Sequence, residues 1–106
     1  MVVHRAGIEK PAADVTAWME FASYPPDEIA ARFHHRLVSI HLFANGNGRH
    51  ARLMADLLLV QILNRPRFTW GRENLVQAGN CRQRYIEALQ AADQRNYDPL
   101  LAFVRS

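Results

Sequence analysis

Apolar residues recur along this chain at three- and four-residue spacing, which predicts helices rather than strands. Pro11 suits a first helical position, and Val15, Trp18 and Met19 follow on the helical period. Residues 23–26 (Ser-Tyr-Pro-Pro) form a break, and a second helix opens near Pro26 with Asp27 and Glu28 in its first turn, where the helix dipole favours acids. Ile29, Phe33 and Leu37 lie four apart, and Val38 and Ile40 extend the stripe. Residues 41–48 then interrupt the pattern. A third helix, from Asn47 or Gly48 to about Leu63, is apolar around most of its circumference and is expected to be central and buried. Asn64 and Pro66 end it. Residues 65–71 read as a connection, Arg72 to Gln77 as a short helix, and Asn80 to Asp93 as a longer one with Tyr85, Ile86 and Leu89 inward. Asp98 reads as a cap followed by Pro99 in the first turn of a last helix through Val104. Residues 1–10 show no clear period, and Val2, Val3 and Ile8 suit a strand or an arm.

The expected fold is therefore all-α, one domain over residues 1–106, with the helix–loop–helix of residues 27–63 at its centre. Composition agrees: 49% hydrophobic and 22% charged residues are ordinary for a globular chain. The longest apolar run, near Leu57 to Val60, is too short for a bilayer, and no secretory signal is visible, so no membrane association is expected. A lone Cys81 cannot form an internal disulfide and suits a reducing cytoplasm; the thiol is expected to be inert. The net charge of +3 invites a nucleic-acid reading, but basic and acidic residues are interspersed and no recognition-helix motif is evident. Of thirteen basic residues only one is Lys, and Arg is the better fork for phosphate or carboxylate. Small-molecule phosphates fit that bias, and no nucleic-acid partner is expected.

Residues 41–52 carry the chemistry. Asn47 and Gly48 open a helix, so free backbone N–H groups and the positive end of the dipole face whatever lies in front of them. Gly46 and Gly48 have no Cβ and let a ligand approach the backbone. Arg49 and Arg52, three apart, share one helical face and make an anion site suited to more than one phosphate. His41, one loop away, is a natural general base for a hydroxyl nucleophile. Phe43 is expected to pin the loop inward. A plain interhelical turn with a good cap is the alternative, but it does not account for His, Phe, Asn and two Arg in this register.

These twelve residues resemble the signature of the Fic family: His, any, Phe, any, acid, Gly, Asn, Gly, Arg, two of any kind, Arg. Seven of the eight defined positions match. The segment from Tyr24 to Leu57, and the stretch from Arg84 through Leu100, look most like the subgroup called mobile mystery protein B. The resemblance implies that His41 takes the proton of a Ser, Thr or Tyr hydroxyl on a target protein as that oxygen attacks the α-phosphate of ATP. The target keeps AMP and pyrophosphate leaves. It further implies an anion hole from the backbone of Gly46, Asn47 and Gly48 with the Asn47 side chain, and outer-phosphate binding by Arg49 and Arg52. Gly48 stands where the phosphorylating Doc subgroup has Lys, which favours nucleotidyl transfer. Tyr85 lies on a helix that the family packs beside the site, which makes it a candidate wall of the nucleotide pocket.

Two positions depart from the pattern. Asn45 replaces the acid that helps hold Mg²⁺; an amide oxygen still coordinates the ion, but without a compensating charge. Weak or absent transfer, with the chain acting as a toxin-like module captured by an antitoxin-like partner, is therefore the second reading. The β-hairpin flap that positions the target in Fic enzymes is expected to be missing, abbreviated or compressed into residues 1–10. Two further features have bland readings. His34 and His35 read as an ordinary helix pair, one inward and one outward, and His34, His35, His41 and His50 lack the spacing of a metal site. Residues 69–74 match the short inhibitory pattern of Fic proteins, in which Glu73 would pair with Arg52, but the pattern is too short to weigh heavily and lies between helices rather than in a terminal one. Trp18 is expected in the core.

Overall fold

In the computed structural model of the chain, residues 5–39, 47–72 and 78–106 are described, with side chains from 12–39, 49–72 and 80–106. Among these residues the fold is all-α: five helices, α1 (Arg5–Glu20), α2 (Pro26–Ser39), α3 (Asn47–Gln61), α4 (Ala78–Asp93) and α5 (Asp98–Val104), and no strand. The chain divides into two compact units, Met1–Arg67 and Phe68–Ser106.

In the first unit α2 packs against both α1 and α3. The expected strand or arm over residues 1–10 is corrected from Arg5 onward, because α1 begins there and Pro11 lies inside it. Pro11 has no N–H to give the carbonyl of Gly7, a defect that typically costs about 3 kcal/mol in a helix interior. The segment before Pro11 is only one and a half turns long, too short to display a helical stripe. The end of α1 is closed without glycine: Ala22 takes a left-handed φ of 50°, and Ser23 N–H donates to the Trp18 carbonyl at 2.9 Å. Trp18 is half-buried rather than a core residue, its ring edge-on to Tyr24 at 5.6 Å. Arg32 lies over the same Tyr24 ring at 3.9 Å and pairs with Glu28 one turn back at 2.9 Å. Arg36 reaches across to Asp14 of α1 at 3.0 Å.

Because α2 is covered on two sides, its buried set is wide: Ile29, Ala30, Ala31, Phe33, His34, His35 and Leu37. This corrects the expectation of one inward and one outward histidine, since both His34 and His35 are buried. On α3 only part of the apolar circumference is covered. Ala51, Ala55, Leu58 and Leu59 are buried, whereas Leu53, Leu57 and Val60 are about half exposed, so the helix is not buried all round as its composition suggested. The helix stops at Gln61, two residues early, and Asn64 with φ 54° turns the chain away before Pro66.

The second unit is built on α4 and α5. Residues 68–71 run back onto the end of α5, where the last carbonyls lack helical donors. The N–H groups of Thr69 and Trp70 both donate to the Val104 carbonyl, at 2.9 and 3.1 Å, and the Thr69 hydroxyl donates to the Ser106 carbonyl at 2.7 Å. Phe68, Trp70, Ala88, Ala92, Leu100, Phe103 and Val104 are buried. The inward positions of α4 are thus its alanines; Tyr85, Ile86 and Leu89 are half-buried, because small residues let the helix come close. Asp98 is the first residue of α5 rather than its cap. The side-chain oxygen of Asn96 accepts the Asp98 N–H instead, at 3.3 Å. Cys81 is half-buried, its Sγ 3.8 Å from the Trp70 carbonyl. The short helix expected from Arg72 to Gln77 lies outside the described residues after Arg72.

Candidate functional site

The candidate site is assembled around the start of α3. Asn47 and Gly48 are its first two residues, as the loop composition predicts. In helix geometry the N–H groups of residues 47–50 have no carbonyl one turn back, and the aligned peptide dipoles place roughly half a positive charge at this end. Arg49 and Arg52 follow within the first two turns, three residues apart, and so lie on neighbouring positions of one face. Arg49 is exposed, and Arg52 is half-buried. Two arginines and a helix N-terminus therefore share the same end of one element. Each favours an anion, and together they suit a ligand with several phosphate oxygens.

One residue that sequence reasoning did not assign to this site is joined to it. His34 has no exposed surface and a hydrogen bond to the backbone of Ala51, in the turn between the two arginines. Burial pushes its ring down to about 4 from an ordinary 6.5. The bond to Ala51 opposes that shift by favouring the charged ring, as a carbonyl acceptor does, while repulsion from Arg52 and His35 adds to it. At neutral pH the imidazole is therefore neutral and donates one N–H toward α3. The signal for it was available in the sequence: His34 falls on the stripe of Ala30 and Leu37, both fully buried.

His41, Asn45, Gly46 and Phe43 lie outside the described residues, and so does Glu73 of the inhibitory pattern. Thr69, the first residue of that pattern, is committed to the end of α5. Tyr85 belongs to the second unit, where its ring tilts against Phe103 at 5.5 Å. Among the described residues no group of three or more His, Cys, Asp or Glu side chains is placed to hold a metal ion, and no helix is long and apolar enough to cross a membrane.

The sequence profile of the Fic/DOC family matches residues 2–59, more than half of the chain, taking in α1, α2, residues 40–46 and most of α3. Several relatives carry the name protein adenylyltransferase Fic. That of Aedes aegypti is 31% identical over 81 residues, covering 76% of this chain and 15% of its own length. That of Culex quinquefasciatus is 32% identical over 79 residues, covering 74% of this chain and 14% of its own. The protein of Nematostella vectensis is 34% identical over 79 residues, covering 74% of this chain and 17% of its own. The chain thus spans about a sixth of the length of the curated relatives it matches.

Proposed function

The chain belongs to the Fic/DOC family, and from that premise we propose that it transfers AMP from ATP to a hydroxyl side chain of a target protein. The observation that carries this reading is the register of residues 41–52 with α3: the helix begins at Asn47, which brings Arg49 and Arg52 into its first two turns. The names of the relatives add the nucleotide class.

In this reading the target oxygen attacks the α-phosphorus of ATP and loses its proton to the imidazole of His41. The bond from that phosphorus to the bridging oxygen breaks, and pyrophosphate departs with the bonding electrons. Arg49 and Arg52 hold the departing phosphates, where negative charge accumulates. The backbone N–H groups of Gly46, Asn47 and Gly48, with the Asn47 amide, bind the α-phosphate oxygens. The subgroup likeness to mobile mystery protein B and a cytoplasmic location are part of the same proposal.

The donor set suits a Mg²⁺ ion that arrives with the nucleotide better than a resident one. Asn45 offers one neutral oxygen, and no cluster of acids stands among the described residues to add charge. When bound, the ion neutralises phosphate charge. Asn45 is also the observation that favours a second reading: a toxin-like module with weak transfer that acts by binding an antitoxin-like partner.

Incubation with ATP labelled at the α-phosphate, alone and with cell lysate, tests the first reading. Protein-bound label that disappears in His41→Ala supports it. No label with any protein, alongside tight binding of a partner that His41→Ala leaves unchanged, overturns it in favour of the second.

A further inference from the structure

We infer that His34 is a positioning residue for the phosphate-binding end of α3, its imidazole locking the first turns of that helix against α2 level with Arg49 and Arg52. The inference rests on the phosphate-binding reading of those two arginines. His34 is fully buried on a stripe whose members one turn to either side, Ala30 and Leu37, are also fully buried. A polar ring there is a poor choice for packing alone, because a buried polar group costs stability unless it is hydrogen-bonded, and a leucine would fill similar space without that cost.

The ring spends its hydrogen bond on the backbone of Ala51. That carbonyl already accepts the N–H of Ala55 within the helix, so α3 does not need the contact to satisfy its own backbone. The bond serves instead as a tether between helices. Apolar contacts tolerate a small slide of one helix along another, whereas a hydrogen bond to one particular carbonyl restricts both translation and rotation. Ala51 immediately precedes Arg52 and lies two residues after Arg49, so the restricted point is the segment that carries both guanidinium groups. The neutral ring adds no positive charge beside Arg52, and a proton there would repel it.

The test titrates inorganic pyrophosphate into the full chain at pH 7.5 by calorimetry, for wild type, His34→Leu, His34→Gln and His34→Asn, with thermal unfolding in parallel. His34→Leu is expected to unfold at or above the wild-type temperature yet bind pyrophosphate about tenfold more weakly, since a misplacement of about 1 Å is enough for such a loss. His34→Gln, long enough to offer an N–H to the same carbonyl, should recover most of the affinity, and the shorter His34→Asn should not. Equal binding by wild type and His34→Leu overturns the inference alone. If His34→Leu fails to fold, the Gln and Asn variants decide, and equal affinity of those two overturns it. A wild type that binds no pyrophosphate overturns the phosphate-binding reading of Arg49 and Arg52, and this inference with it.

Discussion

The buried ring of His34 makes a sharp prediction about acid stability. In the unfolded chain an imidazole takes up its proton near pH 6.5, whereas in the folded protein burial holds that uptake back to about pH 4. Between these two values the unfolded state binds more protons than the native state, so stability falls as the pH is lowered. Below about pH 4 both states are protonated and the ring contributes no further slope. At roughly 1.4 kcal/mol per pH unit, the gap amounts to about 3 kcal/mol, a large share of the ~5–15 kcal/mol that holds a typical domain folded. The Asp14–Arg36 and Glu28–Arg32 pairs are common to wild type and to a His34 variant, so comparing the two isolates the ring. Replacing His34 with Leu removes the imidazole and leaves those acids in place. Urea unfolding of both proteins at intervals from pH 7.5 to 4 should give stability curves that diverge below pH 6.5, with wild type losing about 3 kcal/mol more than the variant by pH 4. Curves that stay parallel across that range would refute the claim that the ring is buried and neutral.

Three further outcomes follow from particular side chains. On α3, Leu59 is fully buried and Leu57 is 46% exposed, so Leu59→Ala should cost about 2–5 kcal/mol and Leu57→Ala under ~1 kcal/mol in urea unfolding. Gly71 has φ of +80°, and a Cβ there would lie 2.9 Å from both Cys81 Sγ and Phe103 Cε1, so Gly71→Ala should destabilise the protein by about 2–3 kcal/mol, seen as a lower Tm. Asn45→Asp, which restores a negative charge beside the nucleotide, should raise Mg²⁺-dependent label transfer; a slower rate would mean that the amide suits some other role.

Much of the helical plan was legible from local patterns. Pro26 with Asp27 and Glu28 marked the start of α2, and the glycines and asparagines of the loop marked the start of α3, because these residues act through their own backbone preferences and the helix dipole. Start signals misled where two of them competed. Pro11 reads as a first turn but lies inside α1, and Asp98 reads as a cap although Tyr97 holds that position and Asp98 is the first helical residue. The arginine pair was legible for the same local reason, since a separation of three residues sets a shared helical face without reference to the rest of the fold.

Burial was not legible, because it depends on which elements meet. Nothing in the run from Ala51 to Val60 says that Ala51, Ala55, Leu58 and Leu59 are buried while Leu53 and Val60 stay in solvent. Nothing in the pair His34-His35 says that both rings go inside, which follows from α2 having a helix on each side. By itself the sequence determined the family signature, the helical class and the register of Arg49 and Arg52, all of which depend on neighbours along the chain. Only the tertiary structure decided that His34 reaches the backbone of Ala51, because seventeen residues of chain must fold back before that hydrogen bond can form.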